Sequence, residues 1–79
     1  MINVLFFDPV AERMGTGRLS VEHRAGMRLN ELQASLQANY PEAFALVSLA
    51  AVDGEHILDM SVTLADHSEV VFISKFSEA

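Results

Sequence analysis

The sequence predicts an α+β fold, a mixed sheet of four to five strands covered on one face by one main helix. Three observations lead to this class. Two apolar runs, residues 2–7 and 70–73, lie at opposite ends of the chain and suit strands that are buried on both faces. Between them, leucines recur at positions 29, 32 and 36 with the spacing of an amphipathic helix. The remaining segments are short, and turn-forming residues separate them.

The first part of the chain is predicted to form two antiparallel strands. Residues 2–7 make the first strand, which Asp8 and Pro9 end. Residues 10–14 form one helical turn that stops at Gly15. In residues 18–23, Leu19 and Val21 alternate with polar side chains, so we expect a half-buried strand that pairs with the first.

The rest of the chain is predicted to hold the main helix and the other strands. Pro41 ends the helix because a residue that precedes proline is pushed out of the helical region. Residues 42–47 form a second helical turn or an irregular extension. Residues 49–52 form a third strand, which the turn signal Asp53-Gly54 closes. Residues 57–58 are a short edge strand, residues 59–68 a long connection, and residues 69–74 the final strand.

The two apolar strands are expected side by side and parallel at the centre of the sheet. This placement satisfies both burial patterns and leaves the helix to cover one face. The arrangement is the β-grasp, or ubiquitin-like, fold. Residues 1–79 are expected to form one domain, because a chain of this length supports a single core. The final strand then holds the C-terminal tail at a fixed point on a rigid sheet.

The composition indicates in which cellular compartment the protein resides and which kinds of partner it can bind. The chain has no cysteine, which excludes disulfides and thiolate metal sites. Its net charge of −6 repels phosphate backbones, so we expect no nucleic-acid binding, and it favours a basic partner surface. No apolar run reaches the roughly 20 residues of a membrane span, and the N-terminus lacks the basic start of a signal peptide. We therefore expect a cytoplasmic protein that does not contact membranes.

The sequence contains no self-contained catalytic site. The three histidines lack metal-binding spacing, and although they can be grouped with nearby acids on paper, the preferred interpretation is solvated turn residues. The residues concerned are His23, His56 and His67 with Asp53, Glu55, Asp59 and Asp66. The four glycines form no phosphate loop, and no serine lies in a nucleophile elbow. We expect no catalytic residue, no metal ligand and no cofactor.

Apolar side chains are expected on the sheet face that the helix leaves open. An exposed apolar patch on a small protein usually marks a partner interface. The alternative is that residues 9–17 and 59–68 fold over these side chains. We predict partner contacts for six residues: Phe7, Ile57, Ile73, Lys75, Phe76 and Ser77.

Several short motifs follow one another along the whole chain. They are Ile2-Asn3-Val4-Leu5-Phe6-Phe7 with Pro9-Val10 and Gly15-Thr16, then Ala51-Val52-Asp53-Gly54-Glu55, and last Leu64-Ala65-Asp66 with Glu69-Val70. Together they resemble the MoaD/ThiS sulfur-carrier family, and its MoaD-like members, the small subunits of molybdopterin synthase, in particular. The second motif is similar to the family's Val-Asn-Gly-Glu turn, and the third to its Leu-x-Asp-Gly-Asp-Glu-Val segment.

The resemblance implies a function that resides in the C-terminal tail. In this family an ATP-dependent, MoeB-like enzyme adenylates a C-terminal Gly-Gly, which then becomes a thiocarboxylate. In the MoaD case the tail inserts into a large, MoaE-like subunit and delivers sulfur to a pterin precursor. The resemblance therefore implies a small subunit of molybdopterin synthase that takes part in molybdenum cofactor biosynthesis and is not catalytic alone.

The tail of this chain differs from the family pattern. Glu78 and Ala79 stand where the family has Gly-Gly, and Ser74-Lys75 replaces its two prolines. His67-Ser68 replaces the Gly-Asp of the preceding turn. The alternative function is therefore a diverged paralogue that keeps the docking surface, does not carry sulfur, and acts as a binding or regulatory module.

Overall fold

The computed structural model describes residues 1–74, which form a five-stranded mixed sheet with three helices. This confirms the expected α+β, β-grasp fold. The elements are β1 (Ile2–Phe6), α1 (Val10–Met14), β2 (Arg18–Val21), α2 (Leu29–Asn39), α3 (Pro41–Phe44), β3 (Leu49–Val52), β4 (Glu55–Ile57) and β5 (Glu69–Ile73). The strand order across the sheet is β2-β1-β5-β3-β4.

The two apolar strands lie next to each other and parallel, as the sequence predicts. Val4 of β1 is the register partner of Val70 of β5, and Phe6 is the partner of Phe72. β2 pairs antiparallel with β1, and β3 pairs antiparallel with β5. β1 and β5 are therefore flanked on both sides, which is why neither presents an open edge.

The core lies between the sheet and the helices. Alternate residues of β1 and β5 point into it, because side chains along a strand alternate between the two faces. The rings of Phe6, Phe44 and Phe72 pack together, with centroids 5.1 to 6.3 Å apart. The buried face of α2 closes the core with Leu29, Leu32 and Leu36.

The connection between β4 and β5 completes the first turn of α2. The first backbone amides of a helix lack partners within the helix. Here the amides of Leu29 and Asn30 donate to the carbonyls of Val62 and Met60, at 2.9 and 2.8 Å. The amide of Leu64 donates in turn to the carbonyl of Met27 at 2.7 Å. The buried side chain of Leu64 joins the core.

Five elements have boundaries that differ from the prediction, and two of them, β1 and β5, simply end one residue earlier, at Phe6 and Ile73. The predicted edge strand is present as β4, but it spans Glu55–Ile57 and not 57–58, because the two-residue turn pairs Glu55 directly with Val52. β2 ends at Val21, two residues early, since the register of β1 stops at Ile2 opposite that residue. α3 begins at Pro41, a residue well suited to the first position of a helix because it lacks an amide hydrogen.

Within residues 1–74 no helix has both the length and the apolar character that crossing a membrane requires.

Candidate functional site

The candidate site is the face of the sheet that points away from the core, called the outer face below. Ile2, Val4 and Phe6 of β1 point inward and are buried, so Asn3 and Leu5 point outward. Phe7, the next residue, is 55% exposed. The outer face is thus partly open, as expected for a sheet with helices on one side.

Strand register arranges the outer face in three rows that run across the sheet. The first, called the polar row, contains Ser20, Asn3, Glu69 and Asp53. The middle row contains Arg18, Leu5, Val71, Ala51 and His56. The third, called the apolar row, contains Phe7, Ile73, Leu49 and Leu58. In the apolar row Leu49 and Ile73 are register partners, and the two end residues each lie one position beyond a paired residue.

The apolar row is the most exposed hydrophobic part of the outer face. Leu49 is 39% exposed and Leu58 is 86% exposed, while Ile73 is half-buried. Adjacent strands lie about 4.8 Å apart, so four residues on neighbouring strands span roughly 14 Å. Exposed apolar patches on small proteins are often interaction sites, which makes the apolar row the candidate site.

The apolar row lies where the main chain leaves the sheet. β5 ends at Ile73, which is a member of the row, and Ser74 follows with a fully buried side chain. The last strand of the described chain therefore ends within the apolar row. The predicted contacts of Lys75, Phe76 and Ser77, and the tail positions Glu78 and Ala79, lie outside the described residues.

The opposite end of the central strands is held by hydrogen bonds. The amide of Asp53 donates to the carbonyl of Glu69 at 2.8 Å, and the amide of Glu69 donates to Asp53 Oδ1 at 2.9 Å. The N-terminal ammonium of Met1 donates to Asp66 Oδ1 at 2.5 Å. That hydrogen bond is the main cause that lowers the pKa of the Asp66 carboxyl. These contacts fix the turns that precede β4 and β5, so the sheet is a firm support for its outer face.

The predicted contact residues are divided between the two faces. Phe7 and Ile73 lie in the apolar row, where the sequence placed an interface. Ile57 is the register partner of Ala50, which is buried, and it packs against the core on the inner side. A partner contact by Ile57 stays a prediction.

Two residues of the apolar row, Leu49 and Leu58, were missed by the sequence reasoning. The turn Asp53-Gly54 contains the signal that could have found them. Counting outward from the pair Val52–Glu55 by alternation puts His56 and Leu58 on one face and Ile57 on the other.

The histidines do not gather into a site. The ring of His23 is hydrogen bonded through Nε2 to the carbonyl oxygen of Leu64 at 2.9 Å. His67 lies in an exposed turn beside Asp66, with 3.6 Å between Nε2 and Oδ2. His56 lies on the outer face. Among residues 1–74 no three His, Asp or Glu side chains are grouped closely enough to hold a metal ion.

Neither a protein-family model nor a curated protein matches the sequence. Solved structures do match the fold. SAMP1 from Haloferax volcanii has a TM-score of 0.81 at 15% identity, covering 99% of this chain and 98% of its own. A candidate molybdopterin converting factor subunit 1 from Pyrococcus furiosus has a TM-score of 0.81 at 17% identity, covering 92% and 94%.

A third similar structure is a complex of two proteins, subunits 1 and 2 of molybdopterin-converting factor from Helicobacter pylori. Its matching chain has a TM-score of 0.70 at 20% identity, with 92% of this chain and 90% of that chain covered. The structural neighbours are therefore ubiquitin-like proteins of the SAMP1 and MoaD kind, which confirms the resemblance stated from the sequence motifs. At these identities the likeness shows the β-grasp fold.

Proposed function

We propose that the chain is a MoaD-like small subunit, a sulfur-carrier-type protein of molybdenum cofactor biosynthesis that docks its C-terminal tail into a large subunit. One observation carries the proposal. The parallel pairing of β1 and β5 brings the end of β5 into an exposed apolar row on the outer face. A partner that covers this row lies against the end of β5, the strand that precedes the C-terminal residues.

In this proposal the apolar row provides the binding energy for the large subunit, and the C-terminal tail delivers the sulfur. Burial of a phenylalanine or leucine side chain contributes about 1.5–3 kcal/mol, so Phe7, Leu49 and Leu58 together suffice for a specific contact. The sheet beneath them is held by the paired strands and the turn bonds of Asp53. Little conformational entropy is then lost on this side of the interface when the partner binds.

The partner in this proposal is a large, MoaE-like subunit. The similar chain from Helicobacter pylori occurs in a complex of subunits 1 and 2 of molybdopterin-converting factor, and by analogy we assign a corresponding large subunit to this chain. The net charge of −6 favours a basic docking surface on that subunit. An ATP-dependent, MoeB-like adenylating enzyme is the second partner that the proposal requires if the tail carries sulfur.

The interface is tested by placing the same charge at two points of the outer face. Phe7→Glu puts a carboxylate in the apolar row, and Ser20→Glu puts one in the polar row. We expect Phe7→Glu to weaken binding of the large subunit from the source organism by at least about a hundredfold, because an apolar ring is lost and a carboxylate is desolvated among the apolar side chains of the row. Ser20→Glu should change binding by less than about fivefold.

Isothermal titration calorimetry measures both affinities, and circular dichroism shows that both variants stay folded. Normal binding by Phe7→Glu would remove the apolar row from the proposed interface.

The residues Glu78 and Ala79 favour a second candidate, a diverged paralogue that docks but does not carry sulfur. The family's Gly-Gly allows close backbone approach in a narrow channel, and Glu78 adds bulk and negative charge at that position. Incubation with the adenylating enzyme, ATP and a sulfur donor separates the two candidates. Replacement of one oxygen by sulfur in the intact mass supports the carrier. An unchanged mass, together with conversion of a Glu78→Gly/Ala79→Gly variant, supports the paralogue.

A further inference from the structure

The β4 edge of the sheet combines an exposed leucine with a strand that lacks a neighbour on one side. β4 is last in the strand order, and no other strand within residues 1–74 pairs with its outer side. Leu58 follows β4 directly, and its side chain is 86% exposed. Natural sheets usually place charge or proline at such an edge, because an open edge invites another strand. A leucine here therefore requires an explanation.

The turn between β3 and β4 determines which backbone groups face the open side. Asp53 and Gly54 have φ of 51° and 83°, and they join the register partners Val52 and Glu55. In such a turn the first carbonyl accepts from the fourth amide, so Val52 and Glu55 form a hydrogen-bonded pair. Hydrogen-bonded pairs alternate along an antiparallel ladder. The N–H and C=O of His56 therefore point away from β3, toward the open edge.

A groove runs beside this edge and can receive side chains of an added strand. Its volume is about 240 Å³, and its apolar lining includes Val47, Leu49, Ile57, Leu58 and Met60. Because side chains of a strand alternate between its two faces, a strand laid against His56 directs one set toward Leu49 and Leu58 and the other set toward the side of Ile57. Apolar residues at alternate positions therefore fit the site.

Charge distinguishes the two edges of the sheet. The five lysines and arginines are at positions 13, 18, 24, 28 and 75, so none lies between 29 and 74. Arg18 belongs to the β2 edge, whereas Asp53 lies in the turn before β4 and Glu55 is the first residue of β4. Asp59, just after β4, accepts two hydrogen bonds from Ser61 and interacts with the charge of Arg28. Opposite charges steer encounter and fix the choice of partner. The β4 edge therefore selects a basic segment.

We propose that β4 is a strand-addition site for an extended segment of a partner protein, with apolar residues at alternate positions and lysine or arginine at its ends. The segment pairs its backbone with His56, packs on Leu58 and the groove, and places its cations near Glu55. β4 has three residues, so the pairing is short and the contact is reversible. The site shares Leu49 and Leu58 with the apolar row, but its test uses the isolated chain and does not depend on whether the tail carries sulfur.

A synthetic peptide tests the proposal on the isotope-labelled full chain. The peptide has about ten residues, valines alternating with threonines, and two lysines at each end, and it is added up to about 1 mM. We expect amide shift changes in residues 47–50 and 55–58. Hydrogen exchange of the His56 amide should slow at least about fivefold, because its N–H becomes bonded. Side-chain contact alone does not produce that second effect.

Two further peptides serve as controls for pattern and charge. One has the same composition with the valines consecutive, and the other has glutamates in place of lysines. Both should bind at least about fivefold more weakly, since one lacks the strand period and the other has the repelling charge.

Variants of the chain locate the contact. Leu58→Ser should weaken binding of the first peptide at least about tenfold through the loss of apolar contact. Glu55→Gln should weaken it about two- to fivefold. Ala34→Ser, on the exposed side of α2, should have no effect.

Four results would overturn the proposal: no shift change at about 1 mM peptide, changes centred on residues 18–21, equal binding of the acidic peptide, or unchanged exchange of the His56 amide in the complex. Leu58 is so exposed that its replacement leaves the fold intact, which the amide spectrum verifies directly.

Discussion

Phe6 and Phe7 are neighbours of identical chemistry that lie on opposite sides of the sheet. Phe6 is 3% exposed and packs its ring against Phe44 and Phe72, whereas Phe7 is 55% exposed at one end of the apolar row. Strand alternation alone separates them. The two faces of this small sheet therefore contribute differently to the protein. The inner face provides the stability of the fold, and the outer face is available for binding.

The comparison extends along both central strands. Val70 and Phe72 of β5 are fully buried on the inner face. On the outer face Val71 is 8% exposed and Ile73 is half-buried. The outer face also changes along its own length, from the polar row near the start of β5 to the apolar row at its end. Exposed apolar surface on the outer face is therefore concentrated at the end of β5.

The difference between the two faces is tested most directly by replacing each phenylalanine with alanine. Phe6→Ala should lower the free energy of unfolding by about 3–5 kcal/mol, because it removes a buried ring and leaves a cavity. Phe7→Ala should lower it by less than about 1 kcal/mol, as expected for an exposed site. Urea denaturation followed by circular dichroism measures both. A domain of this size has only about 4–12 kcal/mol of stability, so Phe6→Ala is expected to be partly unfolded.

Phe6→Leu serves as the control, since it keeps most of the volume and should cost clearly less than the alanine variant. An equal decrease in the free energy of unfolding for Phe6→Ala and Phe7→Ala would show that the outer face contributes to stability as much as the core does.

The sequence predicts the buried central strands, but it does not predict which of their neighbours are exposed on the outer face. The apolar runs at 2–7 and 70–73 predicted the central parallel pair, because few other placements bury both. They did not show which residues stay exposed, since an uninterrupted apolar run carries no period of two. Leu58 was assigned to an edge strand as a pair with Ile57. Alternation puts these neighbours on opposite faces, and only the register set by Asp53-Gly54 decides that Leu58 is the one on the outer face.

The left-handed backbone conformation of His67 was likewise not predicted from the residues of the turn. The resemblance placed a family glycine at this position, and the structure gives the physical reason for one, a φ of 68°. Backbone conformation at a turn depends on where the flanking segments are held. Here the amide of His67 donates to the carbonyl of Met1 at 3.0 Å, a contact between residues far apart in the chain.

His67→Gly tests a contribution to stability that comes from a turn and not from either face of the sheet. A residue with a side chain in the left-handed region costs roughly 1–2 kcal/mol relative to glycine, part of which is offset by the greater freedom of glycine in the unfolded chain. We expect a net gain of about 0.5–1 kcal/mol in the free energy of unfolding. His67→Ala is the matched control: it removes the same imidazole but keeps the strained conformation, so it should show no gain. Equal stability of the two variants in urea denaturation would mean that the imidazole, and not the backbone, sets the effect.

The smallest effect is expected from the ion pair at the start of β1, which also lies on neither face. The ammonium of Met1 lowers the pKa of Asp66 through a hydrogen bond, so the folded state favours the ionised carboxylate. A carboxyl with a lowered pKa in the folded protein adds stability above its unfolded pKa and loses it as the pH falls through the folded value. The melting temperature of the protein should therefore exceed that of Asp66→Asn at about pH 7, and the difference should shrink below about pH 4.

Asp59 requires a parallel control, because hydrogen bonds from Ser61 lower its pKa in the same direction. Asp59→Asn should leave the pH dependence of the Asp66→Asn difference unchanged, since the two carboxyls occupy separate turns and distant sites act independently. Both pairs are exposed, so added salt should reduce the Asp66 effect further. A difference between the protein and Asp66→Asn that stays constant down to about pH 3 would show that Asp66 acts through its geometry and not its charge. In that case the turn before β5 would be held by hydrogen bonding alone, as the turn before β4 is held by Asp53 and Glu69.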